Sequence, residues 1–489
     1  MRLNRKWLFA ILLSAMLAMT LLIGGLRSDK ATAQLGYNGQ KKLTMVTSSE
    51  YPPYQYRDIY SGKDEIIGFN VDIAKYITKQ LGYELEVIDT EAIIAALQSR
   101  RADFSVAGMV PTPERKKYVD FSDIYFEAKN TIVSRKGSNL KTPTDLIGKR
   151  VGVPLGTIQE KQARKFEGII LELRNKTVEI IEEIKSYHID AGIVEEPVAQ
   201  GYIANNLNLE YHVIPNSEKL GYAMAFPKDS TLVSRFNQVL NQMKDNGEIE
   251  RLAKNWFNKN RNKNDNYTST AGLAFARIVS GIPYMVRGVL VTLKFTIISA
   301  LCGFIWGTVL SLFKISSIKP LIWFGTAYTS VFRGTPLLLQ LALVYYATPQ
   351  LTGYNISALL AGVITFTLNS GAYISETIRA GIMAVDRGQK EAALSLGVPY
   401  TSMMADIILP QALKNILPAL VNESIGMLKS SALLSTIGVQ DLLRRSQIVG
   451  AQKYIFFEPL IFAGAVYYLM IMILTWSSYA LERRLQRSS

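Results

Sequence analysis

The chain has 489 residues and a formal charge of +14, too long for one hydrophobic core, so two or three domains are expected. The positive excess is localised: residues 1–33 carry five Lys/Arg against one acid and 270–489 carry 17 against eight, whereas 34–269 hold 32 against 31. Basic residues that sit in apolar parts set membrane topology, which argues against nucleic acid as a partner. The lone Cys302 excludes a disulfide framework and a thiol metal site, and His188 and His212 are too few and too isolated for a metal cluster.

In chain order, Arg2, Arg5 and Lys6 precede an apolar run from Trp7 to Leu26, and Ala31-x-Ala33 is a small-residue cleavage site. Residues 1–33 therefore read as a signal peptide or an uncleaved signal anchor, and either places the next segment of the chain outside the cytoplasm. Residues 34–257 have the pattern of a soluble α/β domain: LTMVTS, the helix of DIAKYITKQLG, YELEVID, the helix of AIIAALQSRR, then ADFSVAGM. A second lobe, about 130–221, contributes NTIVSRKG, RVGVPLG and HIDAGIV as strands. The chain returns with YAMAFPK and an amphipathic helix, VSRFNQVLNQMKDNG, so two lobes crossed twice predict a cleft with a hinge. Residues 258–270 are polar and Asn/Lys-rich, a linker of roughly 20 Å average span if flexible.

Residues 271–489 are hydrophobic on a membrane scale. The runs Gly288–Phe313, Pro320–Leu351, Ile356–Ser375, 411–437 and Pro459–Leu481 predict five spanning helices. Five crossings from an outside start put the C-terminus inside. Lys314 and Lys319, Arg379, Arg387 and Lys390, and Arg483, Arg484 and Arg487 all fall on the inside segments. Arg444, Arg445 and Lys453 fall on an outside loop and break the rule; a segment lying in the membrane interface is the reading they allow.

The cytoplasmic segment Glu391–Pro410, EAALSLGVPYTSMMADIILP, has E-A-A, then Gly397 four residues on, then Ile407-x-Leu409-Pro410. Asp386-x-x-Gln389 predicts a capping pair for a short helix and Gly397 a left-handed end to it. Ala392 and Ala393 keep that helix thin enough to enter a partner's groove, and Pro399 and Pro410 bracket a second short segment. The spacing resembles the coupling motif of ABC importer permeases, so Glu391, Ala392, Ala393 and Gly397 are the expected ATPase contacts within a coupling loop at 386–410. The bland alternative is an amphipathic helix on the membrane surface. VFRGTPLLLQ at 331–340 and NSGAYISETIRAGI at 369–382 extend the resemblance to polar amino-acid permeases. Arg333 and Glu376 are ionisable residues at membrane depth or near it; they read either as a structural pair that stitches helices together or, with Asn369, Glu376 and Glu423, as part of a transient substrate site or gate.

In the soluble part, EYPPYQY, GFNVDIAKYI, AGMVPTPERKKYVDFSDIYF, VGVPLGTIQE and DAGIVEEPVA resemble family 3 extracellular solute-binding proteins. That resemblance implies that Arg115 grips the ligand α-carboxylate, for which a guanidinium offers a bidentate fork. It also implies that backbone groups of Gly108 and Val110 meet the amino acid, that Thr157 supplies a hydroxyl and an N–H, that Glu195 takes the α-ammonium, and that Tyr51 covers the ligand. Read from the residues alone, Arg115 equally pairs with Glu114 or Asp120, and Tyr51 packs a turn. Where basic-amino-acid receptors of the family often carry Asp, this chain has Ser48, and Glu50 two residues on faces the same way if the backbone is extended.

Together these imply a multidomain chain: a two-lobed α/β binding-protein domain followed by an all-α five-helix ABC importer membrane domain. The implied function is a fused receptor and permease importing polar amino acids, basic ones among them (glutamine, arginine, lysine or histidine), at a bacterial inner membrane. No catalytic residue, metal or cofactor is expected in this chain. No Gly-x4-Gly-Lys-Ser/Thr run occurs, so ATP-Mg belongs on a separate ATPase dimer, with the permease domain pairing as a homodimer or heterodimer. The alternative is an amino-acid-gated channel of glutamate-receptor type, whose pore is normally inserted between the lobe segments, whereas here the apolar part comes after them.

Overall fold

The structure, a computed structural model, describes residues 41–259 apart from 60, 62, 128 and 216–220, and residues 275–487. The expected signal at 1–33 and most of the expected linker lie outside the described residues. Asn258 and Lys259, expected in the linker, complete a helix that runs Glu248–Lys259. Its indole anchor is Trp256, whose Nε1 donates to Asp72 Oδ2 at 2.8 Å. The chain forms two compact units, one of Ala33–Gly288 with Leu442–Ala463, the other of Val289–Asp441 with Gly464–Ser489.

The first unit contains two five-stranded sheets. The first lobe builds β1 (Lys41–Thr47), β2 (Glu50–Tyr51), β3 (Gln55–Arg57), β4 (Ile66–Ile67), β5 (Tyr83–Asp89), β6 (Phe104–Met109) and β7 (Val119–Phe126). The second builds β8 (Asn130–Arg135), β9 (Arg150–Pro154), β10 (Ile170–Arg174), β11 (Ala191–Glu195) and β12 (Leu209–Val213), and the chain returns to the first as β13 (Tyr222–Pro227). The strand orders are β5-β1-β6-β13-β7 and β10-β9-β11-β8-β12, with β2-β3-β4 as a small separate sheet. In each large sheet three strands are parallel and the remaining two join antiparallel. Parallel strands are covered on both faces, which explains why β11, AGIVE, is buried at every position, its charged end included. The helix Leu232–Asp245 buries Phe236, Val239, Leu240 and Met243 at the 3.6-residue period seen in the sequence.

The second unit is helical. Among the described residues, four helical segments are long and apolar enough to cross a membrane: Phe275–Ile315, Ala358–Met383, Tyr400–Ile437 and Phe457–Ala480. The five expected spans are therefore not all present as single helices. The run Pro320–Leu351 is broken into helices Lys319–Gly334 and Leu337–Ala342 because Thr335 and Pro336 are extended between them. Proline disfavours helical geometry at the residue before it, so the break sits where the sequence puts it. Pro410 does not end its segment either. A π-helical stretch, Met403–Ile408, leads directly into the helix Leu409–Ser430, so Pro410 lies inside one continuous helical segment. Close packing of Ile282–Ile315 on Ala358–Met383 depends on small residues: a Cβ at Gly303 would collide with Ser370 Oγ, and one at Gly307 would sit 2.7 Å from Ile374.

Candidate functional site: a cleft between two α/β lobes

Next to the last residue of β6 is Gly108, whose φ of +63° is a left-handed conformation that a side chain would strain. The chain then turns through Val110 and Thr112 into the short helix Pro113–Lys116. Thr112 Oγ1 caps it by accepting from Arg115 N at 3.3 Å. This turn aims the Arg115 side chain across the lobes. Its Nη1 donates to Val110 O at 3.2 Å and its Nη2 to Gly156 O, in the second lobe, at 3.0 Å. Both bonds are to carbonyls, which fix the fork without neutralising it. The surface alternative is not what forms, since Asp120 is taken by Lys228 Nζ at 2.6 Å.

Glu195 closes β11 and is 5% exposed. Gln159 Nε2 donates to its Oε1 at 3.1 Å and to Asn130 Oδ1 at 2.9 Å. Glu195 Oε2 has no hydrogen-bond partner at normal geometry among the described residues, nor do the hydroxyls of Tyr54 and Tyr222. Burial pushes the Glu195 carboxyl above its ordinary pKa, opposed by the polar groups of Tyr222, Tyr51, Gln159 and Tyr54. A buried carboxylate whose Oε2 makes no hydrogen bond at normal geometry can take an ammonium group. Tyr51 stacks on Tyr54 with ring centroids 5.6 Å apart.

One cavity of about 420 Å³ is lined by Ser48, Glu50, Tyr51, Gly108, Val110, Arg115, Thr157 and Glu195, so every soluble-domain residue singled out from the sequence faces it. Three details bear on how these groups are used. The Gly108 N–H is occupied, donating to Tyr125 Oη at 3.2 Å. The Val110 carbonyl is held by Arg115 and by Thr112 N at 2.9 Å. The Thr157 hydroxyl is committed to its own helix start, donating to Pro154 O at 2.6 Å and accepting from Glu160 N at 3.4 Å. A capping side chain cannot also donate its one proton to a ligand.

Glu50 lies at the cavity edge and is not alone. Lys176 Nζ, from the second lobe, bonds Glu50 Oε2 at 2.8 Å and Glu91 Oε1 at 3.4 Å. Burial raises the Glu50 carboxyl, while its cationic neighbours Arg444 and Lys176 pull it down. Sequence reasoning missed Lys176, Glu91 and Gln159 as cleft residues. The first two sit 85 residues apart and meet across the two lobes. Gln159 lies within VGVPLGTIQE, where nothing in the pattern signals its task.

In the helical unit Asp386 caps the helix Arg387–Ser395 by accepting from Gly388 N at 2.6 Å, and the reciprocal Gln389 bond of a capping pair is not made. Gln389 Oε1 instead accepts from Gln411 at 3.5 Å. Gly397, at φ +71°, ends the helix with Gly397 N on Leu394 O and Val398 N on Ala393 O, both 3.0 Å. These two bonds define a Schellman end. Ala393 is buried against Met403 and Ile408 of its own unit, so it is unavailable to a partner's groove; Leu394 and Leu396 are exposed instead. Glu376 pairs with Lys314 and, at 2.9 Å, with Arg379, which is the helix-stitching arrangement. Asn369 Nδ2 donates to Phe332 O and to Gln340 Oε1, both at 3.1 Å. Arg333 lies over the Tyr373 ring, 5.1 Å from its centroid. Asn369 and Glu376 are thus tied into separate polar networks.

Two lobes that converge a guanidinium and a buried carboxylate on one cavity, followed in the chain by apolar helices, define a receptor joined to a membrane permease. Residues 43–259 match the bacterial extracellular solute-binding proteins, family 3, and residues 303–487 match the binding-protein-dependent transport system inner membrane components. The chain belongs to these families as a fused solute-binding and permease subunit of an amino-acid ABC importer. It is 52% identical to the arginine transport system permease protein ArtQ of Bacillus subtilis over 214 residues, 44% of this chain and 98% of that protein. It is 43% identical to the arginine-binding extracellular protein ArtP of the same organism over 260 residues, 52% of this chain and 98% of that protein. The putative glutamine transport system permease protein GlnP of Rickettsia felis is 47% identical over 204 residues, 42% of this chain and 94% of that protein.

Proposed function

We propose that this chain captures a polar amino acid with a cationic side chain, arginine above the others, outside the cytoplasm and passes it through its own membrane domain. The observation that carries this reading is one cavity bearing Arg115 for a carboxylate, Glu195 for an ammonium and Glu50 for a third, cationic group. The names of ArtQ and ArtP point the same way. Energy comes from a separate ABC ATPase dimer contacting the 386–410 loop, and the membrane domain pairs with a second copy or a relative. The inside position of that loop rests on Lys314, Lys319, Arg379, Arg387 and Lys390 flanking the apolar helices. Fusion raises the effective receptor concentration at its permease, on the order of millimolar for a short linker.

Proteoliposomes holding the full chain and its ATPase test this directly. ATP-dependent arginine accumulation is the expected result; amino-acid-evoked ion currents without ATP would favour the channel reading instead.

The Glu195 carboxyl adds a pH signature. The bound ammonium requires its ionised form, whereas burial holds the free cleft's carboxyl above the ordinary range. Affinity therefore falls as pH drops through that raised value and is flat above it. Calorimetry of the full chain with glutamine, whose neutral side chain avoids Glu50, reads this. Glu195→Gln should weaken binding and remove the pH dependence; a pH dependence that survives would place the titrating group elsewhere.

A further inference from the structure

The helix Leu442–Lys453 falls within the region matching the permease family, yet it belongs to the same compact unit as the two receptor lobes. Its Arg444 is 1% exposed. Nη2 of Arg444 donates to Asp89 Oδ1 at 2.7 Å, and Nη1 donates to Glu91 Oε1 at 2.9 Å and to Glu50. The next segment of the chain is seated on the second lobe: Tyr454 packs edge-on to Tyr202 at 5.0 Å and occupies the space a side chain at Gly201 would need. Ser446, Gln447, Gly450, Ala451 and Tyr454 line the same cavity as Arg115 and Glu195.

At this end of the cavity the charges balance. Glu50, Asp89 and Glu91 face Arg444 and Lys176; Arg57 lies 3.8 Å from Asp89 Oδ2 and 3.3 Å from Asp64, which Arg445 also meets, so among the described residues these ion pairs join four acids to four cations. A buried ion cluster tolerates neither a surplus nor a deficit of charge. A ligand guanidinium or ammonium reaching these carboxylates makes five cations for four acids unless one leaves. Lys176 and Arg57 are held within the lobes; Arg444 arrives on a separate segment. Two of the three basic residues that broke the charge rule of the outside loop are accounted for in the same way, since Arg445 meets Asp64 at 3.6 Å and stacks over Tyr284.

We propose that Arg444 is a built-in competitor for the carboxylates that receive a cationic ligand side chain, so that seating of helix Leu442–Lys453 drives release of arginine-like ligands. It pairs with Glu50, Asp89 and Glu91 when the cleft has given up its ligand, and withdraws when a ligand cation takes Glu50 and Glu91, the two that line the cavity. Neutral side chains do not compete with it, so the device acts on cationic substrates alone. This inference rests on the amino-acid-receptor reading of the cleft.

The test is equilibrium binding of arginine and of glutamine to the full chain in detergent, wild type against Arg444→Gln and Arg444→Lys. Arg444→Gln should tighten arginine about tenfold, the worth of one charge-assisted bond, and glutamine less than about twofold. Arg444→Lys, a charge without the fork, should fall between. Unchanged arginine affinity, weaker arginine affinity, or equal shifts for both ligands in protein that keeps its unfolding transition overturns the proposal. Should Arg444→Gln fail to fold, Arg444→Lys and a Gly201→Leu variant, which unseats Tyr454, carry the same comparison. If the wild-type chain binds neither amino acid, the receptor reading itself fails, which is a distinct result.

Discussion

Replacing Arg115 with Ala should abolish measurable amino-acid binding at micromolar ligand while leaving the receptor lobes folded. The α-carboxylate would lose its bidentate partner in a closed cleft, and truncating one member of a buried charge pair costs about 2–5 kcal/mol. That is on the order of a hundredfold or more in Kd. The fold should survive because the Arg115 guanidinium bonds two carbonyls, Val110 O and Gly156 O, and belongs to no core cluster among the described residues. The same two carbonyls show that its fork is set in advance of the ligand. Arg115→Lys should recover little, since an ammonium cannot make the paired contact. Calorimetry on the full chain measures both, with thermal unfolding as the control. Near-normal affinity in Arg115→Ala would move the carboxylate site elsewhere in the cavity.

Transport by Gly397→Val should fall steeply with ligand binding intact. Gly397 sits at φ +71° and a Cβ there would meet no atom within 4 Å, so the cost is backbone strain alone. A β-branched residue held in the left-handed region costs about 1–3 kcal/mol, enough to unwind the last turn of a nine-residue helix. Gly397→Asn is the informative partner, because Asn tolerates that conformation and should restore uptake. ATP-driven uptake and ligand-stimulated ATPase activity in reconstituted complexes read the effect. Full uptake in the valine variant would remove the loop from the coupling path.

How much of this was legible in the sequence depends on how local each feature is. The β-strands and amphipathic helices of the lobes arise from short-range periodicity, as in LTMVTS and VSRFNQVLNQMKDNG, and they form where the pattern puts them. Gly397 is legible for the same reason: a left-handed helix end is set by a few neighbouring residues. The residues facing the cavity were legible only through the family resemblance, because Tyr51, Arg115 and Glu195 are distant in the chain and no periodicity links them.

Hydrogen-bond assignment was not legible. Thr157 looked free to donate, but Pro154 O lies in reach once β9 turns into its helix, and Ala393 looked free to meet a partner until Met403 folded back on it. Likewise, a hydropathy run cannot distinguish one helix from two. Pro320–Leu351 is interrupted only by Arg333, and the break at Thr335–Pro336 is a backbone matter on which hydropathy is silent.

The order of parts is written in the chain itself: a nearly neutral α/β receptor, then apolar helices with a basic excess, which enclose the capped helix Arg387–Ser395. Those are properties of composition and local spacing. Which charge neutralises which was settled by the folded arrangement. Arg444 and Glu50 are 394 positions apart, and Lys176 is 126 from the same carboxylate. Burial forces such charges to find partners wherever the fold supplies them, and no linear pattern records that choice.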